Sequence, residues 1–113
     1  MYKIVSIEYS KVKNKRFKIN VLNYKNNEIK IFNFGYKNGN TYIDHKDKIK
    51  KFNYYLRHYN NPLEKELIDN LIMSNSILSL FILWGKYDNI EDNIRYYNDY
   101  ISKENKFNKN MIF

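Results

Sequence analysis

The chain contains two histidines, and each stands beside charge: His45 in His45-Lys46-Asp47, and His58 directly after Arg57. An imidazole next to a carboxylate or guanidinium is the material of acid–base chemistry, and with Asp44 and Asp47 nearby it is also material for metal ligation. The spacing argues against a shared metal ion. On what reads as one helix, His45 and His58 are 13 residues apart, roughly 20 Å at the helical rise. Metal sites draw three or four ligands from Cys, His, Asp and Glu, and the chain has no cysteine. Asp44 and Asp47 are therefore read as helix caps and His45 as a packing residue. No GxSxG elbow, HExxH helix, Gly-rich phosphate loop or paired glutamate motif occurs; Gly35 and Asn38-Gly39 are turn chemistry. The expectation is a protein with no catalytic residue, no metal and no cofactor.

Cations are the stronger signal. Lys11, Lys13, Lys15 and Arg16 form one group, and Lys46, Lys50 and Arg57 form a second at helical spacing. Tyr36, Tyr42, Tyr54 and Tyr55 lie among them. Lysine for phosphates and exposed aromatics for stacking are what a nucleic-acid surface needs. Composition tempers this. Lys, Asn, Ile and Tyr number 17, 19, 15 and 12, which points to AT-rich coding that inflates lysine without selection for a partner. Placement is more telling. Residues 1–60 carry 14 Lys and Arg against 4 Asp and Glu, a net of +10, while residues 61–113 carry 6 against 8, a net of −2. One basic flank for an anionic partner is expected.

The elements that must position these groups organise around Ser74–Gly85, SNSILSLFILWG. Only Ser79 interrupts the apolar run from Ile77 to Trp84. A helix apolar on all sides must be covered on all sides, and this run falls short of the about 20 residues a membrane span requires. It is expected to be a buried central helix, stopped by Gly85, with Trp84 in the core. The N-terminal stretch MYKIVSIEYS lacks the apolar core of a signal peptide, and no membrane insertion is expected.

Before this run, three strands are expected. In Tyr2–Tyr9, Val5 and Ile7 share a side apart from Ile4. In Arg16–Tyr24, Phe17, Ile19 and Val21 share a face; Glu28–Phe34 follows a Lys25-Asn26-Asn27 hairpin turn. Residues 10–15 form a basic loop. A helix from Asp44, as N-cap, to Tyr59 should bury Ile49, Phe52, Leu56 and Tyr59. Asn61-Pro62-Leu63-Glu64 starts another, with Asn61 as cap, Pro62 in the first turn and Glu64 at the capping-box position, and with Leu63, Leu67 and Leu71 on one side. Asp88 caps a last helix whose apolar face is Ile90, Ile94, Tyr97 and Ile101. The fold class is α+β: a small N-terminal antiparallel β-meander followed by about four helices packed around a buried central helix. Residues 1–102 form a single domain, and 103–113 a loose or partner-docked tail offering Met111, Ile112 and Phe113 for protein contact.

An ordered set of short pieces runs through the middle of the chain: Phe34-Gly35, Tyr42 ahead of His45-Lys46-Asp47, Arg57-His58, the apolar block ending Leu83-Trp84-Gly85, and Ile90 with Ile94. Over roughly residues 32–97 this order and spacing resembles a small uncharacterised protein family of large nucleocytoplasmic DNA viruses. That family is commonly richer in arginine in its basic helix and has a glycine before the apolar block, where this chain has Asn75-Ser76. The resemblance implies a viral origin and a place in the virion and the host cytoplasm, at the virus factory; it implies no activity. Composition and resemblance together suggest a non-enzymatic structural or assembly protein, such as a minor capsid or virion-associated component. Its basic face would meet an anionic partner, with other virion proteins or further copies of itself as neighbours. The alternative is a nucleic-acid-binding accessory protein acting on viral DNA or RNA.

Overall fold

A computed structural model describes residues 1–113. Strands β1 (Tyr2–Tyr9), β2 (Lys15–Asn23) and β3 (Glu28–Tyr36) form an antiparallel meander in the order β1-β2-β3. Then come α1 (Tyr42–His45), α2 (Lys48–Tyr59), α3 (Pro62–Asp69) and α4 (Asn75–Leu78), a π-helical turn over Ser79–Leu83, and α5 (Ile90–Asp99). Two 3-10 turns, Ile101–Lys103 and Lys109–Met111, complete the chain. The architecture is α+β, as the patterning predicts.

The inner face of the sheet follows the period-2 rule. Phe17, Ile19 and Val21 of β2 are buried, with Ile4 and Phe34 from the neighbouring strands. Asn27 takes a positive φ of 61° in the β2–β3 turn, which Asn tolerates. In β1 the expected alternation is corrected. The register shifts between Ile4 and Ser6, so that Ile4 faces Val21 and Ile7 faces Ile19. The extra residue of this bulge is Val5, which turns outward while Ile4 and Ile7 share the inner side.

Against that face lies the apolar run, with Ile77, Leu78, Leu80, Phe81, Ile82 and Leu83 all buried. It is not one regular α-helix. Ser74 caps a single α-turn through Ile77 N, and the chain then widens into the π-turn, closed by Trp84 N–H to Ser79 O at 3.1 Å. The reason lies at its end. Asn93, itself buried, donates from Nδ2 to Ile82 O and Tyr87 O and accepts from Tyr87 N–H. Gly85 leaves the space this needs: a Cβ there would stand 2.0 Å from Phe81 O and 3.0 Å from Asn93 Cγ.

Two helix faces also differ from the sequence pattern. On α2, Ile49 is 74% exposed, and Phe52 and Leu56 are exposed too, while Lys51 and Tyr55 are buried. Large rings decide the rotation. Tyr55 packs on Tyr59, Phe107 and Phe113 with centroids 5.2–5.9 Å apart, and Lys51 finds carbonyl partners. On α3, Leu63 is exposed and Ile68 is the buried residue. The cap expected at Asp88 belongs to Asn89, whose side chain accepts from Asp92 N–H.

Residues 103–113 are not a loose appendage. Phe107 N–H bonds Asp69 O, and its ring packs on Tyr55, Tyr59 and Phe81. Of the last three residues, Met111 and Ile112 are buried in the core and Phe113 is exposed. Lys51, 4% exposed, ties this segment down by donating to Ile112 O at 2.7 Å and Gly85 O at 3.1 Å, with Nζ over the Tyr42 ring at 4.2 Å. Burial, with Lys48 and Lys86 nearby, lowers its pKa to about 8.

Gly85→Ala should destabilise the fold by about 2–4 kcal/mol, because backbone rather than a flexible side chain must yield. Ile112→Ala should cost about 2–5 kcal/mol as a cavity mutation in a core residue. Urea unfolding measures both; wild-type stability in either variant would contradict the packing described.

Candidate functional site

A cleft of about 480 Å³ opens between the sheet end and the helices. Its cationic wall is Lys15, from the start of β2, and Arg57, from the last turn of α2. Its aromatic wall is Tyr54 and Trp84, and His58 and Glu64 line it from either side of the α2–α3 turn. Ser76 and Ser79, at the start of the central segment, lie on the same cleft.

Glycine chemistry makes the cleft's back wall. Gly35 has φ +76°, and a Cβ on it would stand 3.0 Å from Leu83 Cδ1, so β3 can approach the π-turn closely. Beyond it, Thr41 opens α1 and accepts Asp44 as its capping partner: Asp44 Oδ2 receives Thr41 N–H at 2.8 Å. Asp44 is thus not the cap of one long helix. The helix is broken at Lys46, whose φ is 59°, and restarts with Asp47 accepting from Ile49 and Lys50 N–H.

The aromatic wall is a column. Tyr54 and Trp84 stack with centroids 4.2 Å apart and planes 6° from parallel. His58 packs on Tyr54 at 4.1 Å, and His45 on Trp84 at 5.3 Å. Trp84 is therefore half-buried between the core and the cleft rather than part of the core proper. Burial pushes the Tyr54 phenol well above the usual range, so it stays neutral. His45 Nδ1 accepts from Asp47 N–H at 2.9 Å, which places the ring proton on Nε2. His58 Nδ1 donates to the Glu64 carboxylate at 2.8 and 2.9 Å, and Ser76 Oγ donates to the same carboxylate at 3.3 Å. The other His58 nitrogen, Nε2, carries no hydrogen bond from the chain.

The sequence-predicted cations divide into three sets. Lys15 and Arg57 line the cleft, and Lys50 shares an adjoining groove of about 240 Å³ with Arg57, His45 and Asn53. Lys11 and Lys13 lie on the β1–β2 loop, and Lys37 N–H bonds Asn14 O, bringing the β3–α1 loop beside it. Arg16 and Lys46 are spoken for. Arg16 makes a two-pronged pair with Asp44 at 2.7 and 2.6 Å, a structural clamp between β2 and α1. Lys46 approaches Asp88 at 3.9 Å. Of the tail residues, Met111 and Ile112 are turned inward and unavailable to a partner.

Sequence reasoning missed the His58–Glu64–Ser76 set. The available signal was Glu64 at the third residue of a capped helix, six positions after His58. Treating it as a capping-box carboxylate hid the pairing; Asn61 alone caps α3, accepting from Leu63 and Glu64 N–H.

The Arg16 guanidinium beside Asp44 holds its carboxyl at about 2 instead of 3.8, with the Thr41 N–H and hydroxyl contributing. A carboxylate whose pKa is depressed by folding stabilises the fold fully above its ordinary value, and that stabilisation is lost as pH falls through the folded value. Between pH 3.8 and about 2, wild type should lose about 1–2 kcal/mol more than Asp44→Asn, after discounting for solvent at this partly exposed pair. Equal acid sensitivity in denaturant titrations would contradict the clamp.

Comparison with known proteins adds one match. A family model described as a family of unknown function (DUF5754) is similar to residues 5–58, the span from β1 to His58 at the end of the basic helix. No curated protein and no solved structure matches the chain.

Proposed function

We propose that the protein binds single-stranded nucleic acid across the cleft between Lys15 and Arg57. One observation carries this: two cationic groups far apart in sequence border the same aromatic-walled cavity, whose lone carboxylate, Glu64, is occupied by His58. Phosphates on the rim would meet Lys15 and Arg57, with Lys50 and the loop lysines Lys11 and Lys13 beyond them. The cleft volume suits one nucleotide turned out of a strand, which a duplex does not offer without unstacking. Tyr36, 81% exposed at the cleft mouth, presents a face for a flanking base, and such stacking tolerates any sequence.

A second function, structural assembly in a viral particle, has its own observation. The outer face of the sheet exposes Val5, Ile29 and Ile31, the last 58% exposed. That face, rather than the tail, is where a neighbouring protein would sit. Concentration-dependent self-association abolished by Ile31→Lys supports this second function; a monomer at all concentrations counts against it.

Fluorescence anisotropy with labelled single-stranded RNA and DNA tests the first function. With about three to four phosphate contacts, log K should fall with log salt at a slope of about −2 to −3. Lys15→Glu with Arg57→Glu should weaken binding at least about tenfold and flatten that slope, with the melting temperature unchanged. No binding at low salt, or binding indifferent to both changes, would overturn the proposal.

A further inference from the structure

Resting on that nucleic-acid cleft, we propose that it also cuts RNA, using His58 as a general base toward a ribose 2′-hydroxyl. The structure supplies the parts such a step needs. A general base must have a free nitrogen facing the substrate and an orienting partner on the other. His58 has both: Nδ1 donates to Glu64 at 2.8 Å, which leaves the Nε2 lone pair free, and the ring lines the cleft. Glu64 is itself fixed by Ser76 Oγ and by its place in the first turn of α3. Packing of the imidazole on Tyr54 at 4.1 Å, with Tyr54 stacked on Trp84, limits its rotation. Arg57 and Lys15 line the same cavity and are positioned to stabilise charge developing on a phosphoryl group.

The pair also staples the end of α2 to the start of α3, but two features exceed that role. A staple has no need to sit on a cavity with its second nitrogen unpaired, nor to be flanked by two cations without acidic partners. The chemistry is narrowed by what else lines the cleft. Glu64 is its only carboxylate and is already engaged, and no three His, Asp or Glu side chains are grouped so that they could hold a metal ion. The phosphodiester reaction that one imidazole can serve is internal attack. The 2′-oxygen forms a bond to phosphorus as its proton passes to His58 Nε2. The bond from phosphorus to the 5′-oxygen breaks, and that oxygen takes a proton from water. His58 then returns its proton to the hydroxide left behind, so the sum is an intramolecular transesterification that consumes no water: one strand ends in a 2′,3′-cyclic phosphate and the other in a 5′-hydroxyl. Glu64 is a positioning residue, acting through His58.

The test uses the full chain in excess over a labelled RNA oligonucleotide, at saturating protein and in the presence of EDTA, alongside the same oligonucleotide with one 2′-deoxy position. Cleavage should yield cyclic-phosphate ends and stop at the deoxy position. His58→Ala, purified in parallel, should lower the single-turnover rate at least about 100-fold, and added imidazole should restore part of it. Glu64→Gln should lower the single-turnover rate at saturating protein while the melting temperature and RNA affinity hold. RNA that is bound and stays intact would overturn this proposal and leave the binding function standing; absence of binding would overturn both. Cleavage that is equal in His58→Ala, or lost in EDTA, would overturn it by assigning the activity elsewhere.

Discussion

The fold depends on how an apolar segment interrupted only by Ser79 is allowed to end inside the protein. Apart from half-buried Ser79, which lines the cleft, every residue of Ile77–Leu83 is buried, and the last carbonyls of such a segment have no water to accept from. Two side chains meet that need from other elements. Asn93 of α5 takes Ile82 O, and Lys51 of α2 takes Gly85 O along with Ile112 O. A buried ammonium without a carboxylate is costly, and here two carbonyls and the face of Tyr42 offset that cost. One lysine thereby joins the basic helix, the end of the central segment and the C-terminal turn.

This ending shapes the cleft. The π-turn rotates the residues after Leu83, and Gly85 lets the chain leave at once. Trp84 is thrown outward to stack on Tyr54 instead of joining the core. Tyr54 in turn backs His58, and the turn after α2 brings Glu64 to it. Insertion of a wide turn at a functional wall is a recurrent use of π geometry. The charge distribution fits the same picture. The acidic groups nearest the basic flank neutralise Arg16 and, loosely, Lys46, and they leave Lys15, Lys50 and Arg57 unpaired around the cavity.

Much of the fold is legible in the chain because local rules and burial agree there. The period-2 pattern of Phe17, Ile19 and Val21, the Asn26-Asn27 turn, the Asn61-Pro62 start and the apolar run are each specified by a few neighbouring residues. The misreadings share a physical cause. Ile49, Phe52 and Leu56 form an apolar stripe, yet a helix rotates to bury its best-packed set, and Tyr55 with three aromatic partners outweighs them. Lys51 reads as a solvent cation until two carbonyls more than thirty residues away are placed beside it. The bulge at Val5 follows no rule in β1 itself; it reconciles β1 with the register of β2. The cations of the cleft were visible as two separate groups, whereas the partnership of His58 with Glu64 crosses a helix boundary that the capping pattern had already explained.

The most direct measurement is heteronuclear NMR of the labelled protein during titration with a short single-stranded RNA. Binding across the described cavity predicts saturable shifts of the Trp84 indole N–H, the His58 ring and the Arg57 and Lys15 side chains, with the outer-face signals of Val5, Ile29 and Ile31 unmoved. Shifts confined to that outer face, or spread over every surface lysine without saturation, would contradict it.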